Sequence, residues 1–376
     1  MSEADWLGDA LQHGVAIGDP DALLSLADAL GFDEVHEPAW PSAEVVPGGP
    51  TDEIVRGMFT MVAQHVRSID AQAAFAPLQL LVLLRGDTRE VQAFVAPLEE
   101  GDGPVRQHLM LLRPAVFVSV ADRLLRALTC ATVWPELGDL STCRSEWDDS
   151  PLSNQPADPE RFQLAMNLAM LASLIIFYHE MAHILRGHTA YLREASAFAG
   201  EATVLRENHA LAMAAHPGSS EVDACRRALE VDADVHAGVF MASVLKLGAL
   251  GDVNADNLPD WCSLCAFVAS VTYNAFEAHA HQDGYRAGYH LPATRTECFL
   301  EGVARGLDVA ESAWFAPGAD AGLTFCAQHY QAPATLEELV ADAAELRERT
   351  WPMLGRLTPM FSRHVPVEWT QRGAAA

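Results

Sequence analysis

The spacing of apolar positions divides the chain into a mixed first part and a helical second part. A short helix is predicted at residues 21–30, before a Pro- and Gly-rich stretch at residues 38–50. A longer helix is predicted at residues 51–74, because its acidic first turn suits the positive end of a helix dipole. Three short apolar runs follow, at residues 78–84, 90–96 and 107–113. Turn-forming Gly-Asp pairs separate these runs, so we expect the strands of a small, largely antiparallel sheet.

From residue 159 onward the apolar pattern is helical. The predicted helices lie at residues 160–192 (as one helix or two), 219–247, 258–279 and 335–352, the last ending near Pro352. A polar, Pro-rich stretch at residues 146–158 predicts a boundary before them. The sequence therefore predicts an α+β fold in four parts. These are an N-terminal extension (1–50), a helix with a small sheet (51–158), a helical subdomain (159–300) and a helical C-terminal region (301–376).

Composition narrows the partners and the compartment. The formal net charge of −27 repels phosphate backbones and anionic lipid surfaces, so we expect neither nucleic acid nor a membrane as a partner. The most apolar stretch, residues 164–178, is shorter than the roughly 20 residues that cross a bilayer, and it therefore predicts a buried helix. Seven scattered cysteines and the lack of a secretory signal predict a reduced, cytoplasmic protein. The close pair Cys262 and Cys265 is more typical of a helix core than of a metal site.

The candidate chemistry lies in the segment His179-Glu-Met-Ala-His183. On a helix, residues four apart lie on one face, so the imidazoles of His179 and His183 can bind one metal ion. Glu180 lies beside that face, where it can act as a general base on a water molecule. The residues before the motif are almost wholly apolar, so the helix should be buried and a metal would compensate its polar groups. The alternative is a pair of core histidines satisfied by hydrogen bonds.

A third ligand is expected, because a catalytic zinc ion usually has three protein ligands and one open position. The best candidate is Glu230, which shares a predicted helix face with Asp234 and Ala237. Asp234 is expected to accept a hydrogen bond from the non-ligating nitrogen of a ligand histidine. Ala237 is small enough to let the two helices approach closely.

The neighbours of Glu230 define an alternative. Asp232 and His236 lie well round the predicted helix from Glu230, so we expect them to be solvated. Glu230 would instead be a surface carboxylate if it paired with Arg226 or Arg227.

The two motifs together resemble those of gluzincin peptidases of the CAAX-prenyl-protease and HtpX type. In that family HExxH is followed by Glu-x-x-Ala-Asp, and this chain has Glu230-Val-Asp-Ala-Asp234. His188 matches the last position of the family's HExxHxxxxH form. The segment at residues 116–125 is similar to a strand-then-helix segment of the family, and residues 290–295 are similar to its His-Pro-x-x-x-x-Arg segment, with proline and arginine displaced. Lit-type phage-exclusion peptidases, which are soluble HExxH proteins, are a further possible relation.

The resemblance implies a zincin-like core, with a small antiparallel sheet and a buried zinc helix. It also implies a Zn²⁺ ion held by His179, His183 and Glu230. Membrane-embedded relatives carry transmembrane helices that this sequence lacks, so prenylated or membrane substrates are not implied.

The expected function is that of a zinc metalloendopeptidase acting on a peptide or protein substrate. Glu180 would take a proton from the zinc-bound water and later pass it to the leaving amine. A second electrophile usually steadies the oxyanion. The candidates for it are His290 and Arg295, followed by Tyr289, Tyr285 and His279. We expect the substrate to add to an exposed sheet edge, formed by residues 107–113 or 90–96.

Two other functions are open at this point. One is a metal-stabilised effector or binding protein that cleaves nothing, and the other is a zinc hydrolase of a non-peptide amide. Glu180 favours catalysis, because a purely structural site needs no base beside its metal. The motifs carry no information on oligomeric state.

Overall fold

A computed structural model gives the fold and describes residues 3–37, 50–72, 74–86, 91–99, 105–144, 146–198, 220–247, 253–282, 289–310, 312–330 and 334–366. The described elements form an α+β structure, in which long helices surround one small sheet. The helices are α1 (Glu3–His13), α2 (Pro20–Ala29), α3 (Pro50–Gln72), α4 (Pro114–Thr129), α5 (Pro159–Leu185), α6 (His188–Phe198), α7 (Ser220–Lys246), α8 (Leu258–Gln282), α9 (Pro292–Leu307), α10 (Ala316–His329), α11 (Leu336–Glu345) and α12 (Trp351–Ser362). The strands are β1 (Val15–Ile17), β2 (Gln79–Leu84), β3 (Ala93–Pro97) and β4 (Gln107–Leu112).

The described strands pair in the order β1-β2-β4-β3, so the sheet is mixed and the expectation of a largely antiparallel sheet is wrong. β2 and β4 are parallel neighbours, with Leu81 opposite Leu109, while β1 and β3 run antiparallel at the two edges. Every residue of β4 after Gln107 is buried, which is the pattern of a central strand covered on both faces. The segment predicted as an edge at residues 107–113 is therefore interior, and β3 is an edge.

The sheet has helices on both faces. On one face, Leu23 and Ala27 of α2 pack against Leu81 and Leu109. On the other face, alternate residues such as Val82 belong to the main core. Residues of α3, α4 and α5 form the rest of this core. The helix that carries the HExxH segment is thereby fixed against the sheet.

α5 is buried along the part that carries the motif. Asp158 caps its N-terminus by accepting hydrogen bonds from the backbone N–H groups of Glu160 and Arg161. All residues from 171 to 185 are buried. The helix is long and apolar enough to cross a membrane by composition, but 89% of its most apolar window is buried inside the protein. Its polar side chains consequently lie in the interior.

Gly187 separates α5 from α6, so the predicted helical segment 160–192 forms two helices. Its φ of 80° lies in the left-handed region, which residues with a side chain rarely adopt. A Cβ atom at this position would lie 2.5 Å from the carbonyl oxygen of Phe361 in α12. The turn and the close approach of α12 both require glycine, and together they place His188 at the start of α6.

α7 and α9 cross with their backbones in contact. A Cβ atom on Gly238 would lie 2.0 Å from the carbonyl oxygen of Phe299, and one on Gly302 would lie 1.8 Å from that of Val235. Glycine at both positions allows this approach. The crossing brings the first turns of α9, including Arg295, beside the acidic positions of α7.

The last helical segment of the described residues extends further than its predicted end near Pro352. Thr335 and Glu338 form a capping box at the start of α11. The helix does not end at Pro352, because a π-helical turn (Leu346–Thr350) leads directly into α12, which ends at Ser362. Pro352 lies in the first turn of α12, where a missing N–H is tolerated.

All seven cysteines are free thiols. Cys262 and Cys265 are buried in α8, and burial raises the pKa of Cys262 to about 11. This pair is therefore part of the helix core and holds no reactive thiolate near neutral pH.

Candidate metal centre

Two histidines and one glutamate converge between α5 and α7. The Nε2 atoms of His179 and His183 lie 3.2 Å apart. Glu230 faces both rings, with Oε2 3.5 Å from Nε2 of His179 and Oε1 3.9 Å from Nε2 of His183. All three side chains are buried. Within the described part of the chain, their ligand atoms form one group that could hold a metal ion.

The spacing of these atoms can be tested against tetrahedral coordination. Ligand atoms about 2.0–2.1 Å from a tetrahedral zinc ion lie about 3.4 Å from one another. Nε2 of His179 lies at separations close to that value, 3.2 Å from Nε2 of His183 and 3.5 Å from Oε2 of Glu230, whereas the 3.9 Å separation involves the other oxygen of Glu230, Oε1. The donors are nitrogen and oxygen atoms of the kinds that bind metal ions, and one from each residue lies within 4.8 Å of the others.

The second ring nitrogen of His179 is close to a carboxylate. Its Nδ1 lies 2.9 Å from Oδ1 of Asp234, within hydrogen-bonding distance, although the N–H direction is not aligned with that oxygen. Burial by itself lowers the pKa of His179, but the carboxylates of Asp234 and Glu230 raise it well above its usual value. The site therefore attracts positive charge, which either a proton or a metal cation supplies.

The second ring nitrogen of His183 contacts another histidine, which the motif alone did not assign to the site. Its Nδ1 lies 3.0 Å from Nδ1 of His188, whose Nε2 lies 3.0 Å from Oδ2 of Asp232. Arg186 holds that carboxylate in turn, with Nε donating to Oδ2 at 2.8 Å. Burial lowers the pKa of His188 to about 4, against the opposing effect of Asp232, so its ring is neutral at pH 7.

The expectation that Asp232 is solvated is wrong. Its side chain is buried, and the ion pair with Arg186 and the contact with His188 compensate the buried charge. His236 is partly exposed, and its Nδ1 donates to the backbone carbonyl of Asp232 at 2.8 Å. A helix wheel assigns one buried face to α7, but α5, α9 and α12 all pack against it.

Glu180 is buried on α5 directly after His179, with a relative exposure of 5%. Glu230 is not a surface carboxylate, because it is buried and accepts a hydrogen bond from Nη2 of Arg295 at 3.1 Å. Arg227 pairs with Glu345. The alternative of a surface carboxylate paired with Arg226 or Arg227 is wrong in placing Glu230 at the surface.

Arg295 lies behind the ligands and holds their carboxylates. Its Nε and Nη2 donate to the two carboxylate oxygens of Asp234 at 2.8 and 2.9 Å, and Nη2 also reaches Glu230. Its guanidinium lies over the rings of Tyr273 and Tyr289, at 4.7 and 5.3 Å from their centroids. These donors are engaged by the ligand helix, so Arg295 holds the carboxylates of Asp234 and Glu230 in position, and its role in steadying an oxyanion stays a prediction.

His290 belongs to a different contact network. Its Nδ1 lies 2.8 Å from Oδ1 of Asp342 and its Nε2 lies 2.9 Å from Oγ1 of Thr350. Asp342 also accepts the backbone N–H of Leu291 at 3.0 Å. His290 therefore ties the start of α9 to the C-terminal helices, and its role at the oxyanion stays a prediction.

Two of the three remaining oxyanion candidates lie in the described part of the chain. Tyr289 lies against Arg295, as described above. His279 belongs to α8. Tyr285 lies outside the described residues.

Comparison with known proteins adds no relative at this point. No protein-family model, curated protein or solved structure matches the chain. What the cluster can do has to be argued from its own side chains.

Proposed function

We propose that the protein is a zinc-dependent metallopeptidase with a zincin-like core. The observation that carries the proposal is the convergence of the buried side chains of His179, His183 and Glu230, whose ligand atoms lie within 4.8 Å of one another. Two imidazoles and one carboxylate are a ligand set of catalytic zinc sites, which keep one position open for water or substrate. Structural zinc sites usually have four ligands and favour cysteine.

The roles of the chain's own residues follow from their places around this group. A zinc ion held by His179, His183 and Glu230 would lower the pKa of a bound water to about 7 and would act as an electrophile for the scissile carbonyl. Glu180, next to His179 on the same buried helix, is proposed to take a proton from water and to donate it to the leaving amine. Asp234 and Arg295 hold His179 and Glu230 in place.

A peptide is the proposed substrate because of the sheet edge near this helix. Among the described strands β3 pairs with β4 alone, and it contacts both α5 and α6. An edge strand offers backbone donors and acceptors, so an extended peptide could bind by strand addition. Free thiols and the net charge of −27 support a cytoplasmic protein that acts on neither nucleic acid nor membranes.

One observation favours a second candidate function, a metal-stabilised effector that cleaves nothing. His179, His183 and Glu230 are only 8%, 0% and 5% exposed. Such burial also suits a metal that stabilises a fold. A cleavage experiment separates the two functions.

We expect the zinc-loaded protein to hydrolyse amide bonds in a mixed peptide library. New N-termini, identified by mass spectrometry, should appear with wild-type protein, disappear after a zinc chelator is added and return with excess zinc. Cleavage that persists in the chelator would contradict a metal-dependent mechanism. A zinc-loaded protein that cleaves neither peptides nor small amides would support the effector.

A second prediction concerns the third ligand. Purified protein should contain about one zinc ion per chain, and Glu230→Ala should weaken binding by more than the 10–100-fold typical of outer-shell changes. Zinc is measured by elemental analysis after dialysis against a buffered competitor. Asp223→Ala, which removes a carboxylate from the same helix outside the cluster, is the matched control and should keep wild-type zinc. Full zinc content in Glu230→Ala would mean that Glu230 is not a ligand.

A further inference from the structure

A buried network of side chains leads away from the candidate metal centre at His183. It passes from His183 through His188 to Asp232 and ends at Arg186. His183 and His188 are fully buried, at 0% exposure, and Asp232 is 4% exposed. Polar groups at this depth need defined donors and acceptors, because an unmatched pair would cost the full desolvation of both groups.

Metal binding at Nε2 of His183 is compatible with one arrangement of protons in this network of side chains. The carboxylate of Asp232 only accepts, so Nε2 of His188 carries a hydrogen. A metal on Nε2 of His183 requires the hydrogen of that ring on Nδ1, which then donates to Nδ1 of His188. Nε2 of His183 is left with its lone pair, on the side that faces His179 and Glu230.

We propose that His188, held by Asp232, is a positioning residue that fixes the ring proton of His183 on Nδ1 and so selects Nε2 for the metal. This rests on the proposed metal centre and adds a partner for its second histidine. A carboxylate commonly takes this place next to a ligand histidine, and here a neutral imidazole stands between the ligand and the carboxylate.

The side chains of this network come from distant parts of the sequence. The left-handed turn at Gly187 places His188 next to His183, although the two lie on different helices. The ring of Phe361 packs edge-on against His188, with centroids 4.6 Å apart, and also contacts the guanidinium of Arg186. α12 thereby covers this network of side chains on one side, and Phe361 restricts rotation of the His188 ring.

The experiment uses three substitutions that separate the two nitrogens of His188. Asn carries its side-chain oxygen near the position of Nδ1 and can accept from His183. Gln carries its amide near the position of Nε2 and can donate to Asp232, but it offers nothing to His183. Leu keeps the volume and offers neither. Each variant is first checked for wild-type helix content and thermal unfolding in a chelator.

We expect His188→Leu and His188→Gln to weaken zinc binding about 10–100-fold, and His188→Asn to stay within about threefold of wild type. Binding is measured by competition with a chromophoric chelator. The visible spectrum of cobalt-loaded protein should change for Leu and Gln and stay the same for Asn. Equal affinities of all three variants, or rescue by Gln and not by Asn, would overturn the proposal.

A second measurement does not depend on bound metal. In the metal-free wild type, long-range ¹H–¹⁵N correlation spectra should show the proton of His183 on Nδ1 and that of His188 on Nε2. His188→Leu should let His183 populate the Nε2–H tautomer. A wild-type His183 protonated on Nε2 would overturn the inference. If the tautomers are as expected but the wild type binds no metal, the proposed function fails and the proton arrangement stands.

Discussion

Replacing Glu180 by Gln is expected to lower peptide hydrolysis by a factor of about 10²–10⁴, the usual contribution of a general acid–base group, while zinc content stays at the wild-type level. The amide keeps the size of the side chain but cannot accept a proton at neutral pH. His179, His183 and Glu230 remain, so the metal should still bind. Initial rates on a peptide from the library assay and elemental analysis of the same samples measure the two effects separately.

Glu160→Gln is the matched control, because Glu160 lies on the same helix but is exposed in its first turn. It should change neither the rate nor the zinc content. A Glu180→Gln protein that cleaves at the wild-type rate would show that another group moves the proton. Loss of zinc together with activity would show that Glu180 supports the metal rather than the proton transfer.

The ligand group could be predicted from the sequence because its geometry is local. His179 and His183 are one helical turn apart, and Glu230 and Asp234 are one turn apart on another helix. Helical periodicity alone puts each pair on one face. The prediction needs only one assumption about tertiary structure, which is that these two helix faces meet. In the structure, Nε2 of His179 lies 3.5 Å from Oε2 of Glu230.

The contacts around the ligands could not be predicted in the same way. Periodicity predicts a solvated Asp232 because a helix is usually buried on one face, but several helices pack against α7. His290 and Arg295 are close in sequence, yet His290 precedes α9 and turns to Asp342, whereas Arg295 lies within α9 and reaches Asp234. Such choices depend on how helices pack, which periodicity does not encode.

The positions of strands can be predicted from the sequence, but their pairing cannot. The predicted positions of the three longer strands agree with the structure to within a few residues, because short apolar runs bounded by turns are a local signal. The order of the strands depends on contacts between segments that are distant in sequence, so the local pattern does not predict it. β1, with three residues, is too short to show a period of two.

Replacing Arg295 by Met is expected to lower the free energy of unfolding of the metal-free protein by about 3–5 kcal/mol. Arg295 is 6% exposed, and its guanidinium compensates two buried carboxylates, Asp234 and Glu230. Met keeps most of the side-chain volume but leaves both carboxylates without this cation. Urea unfolding in the presence of a chelator measures the loss. Adding zinc should reduce the difference from wild type, because the metal supplies positive charge next to Glu230.

Arg305→Met on the same helix is the control, because its pair with Glu301 is exposed and surface substitutions usually change stability by less than about 0.5 kcal/mol. The double variant Arg295→Met with Asp234→Asn should recover part of the loss, since it removes one of the uncompensated charges together with its partner. If Arg295→Met keeps wild-type stability but slows hydrolysis by about 10²-fold or more, the arginine acts on the oxyanion instead. A positioning role therefore predicts a loss of stability, whereas a role at the oxyanion predicts a loss of rate at unchanged stability. The single variant Arg295→Met distinguishes the two roles.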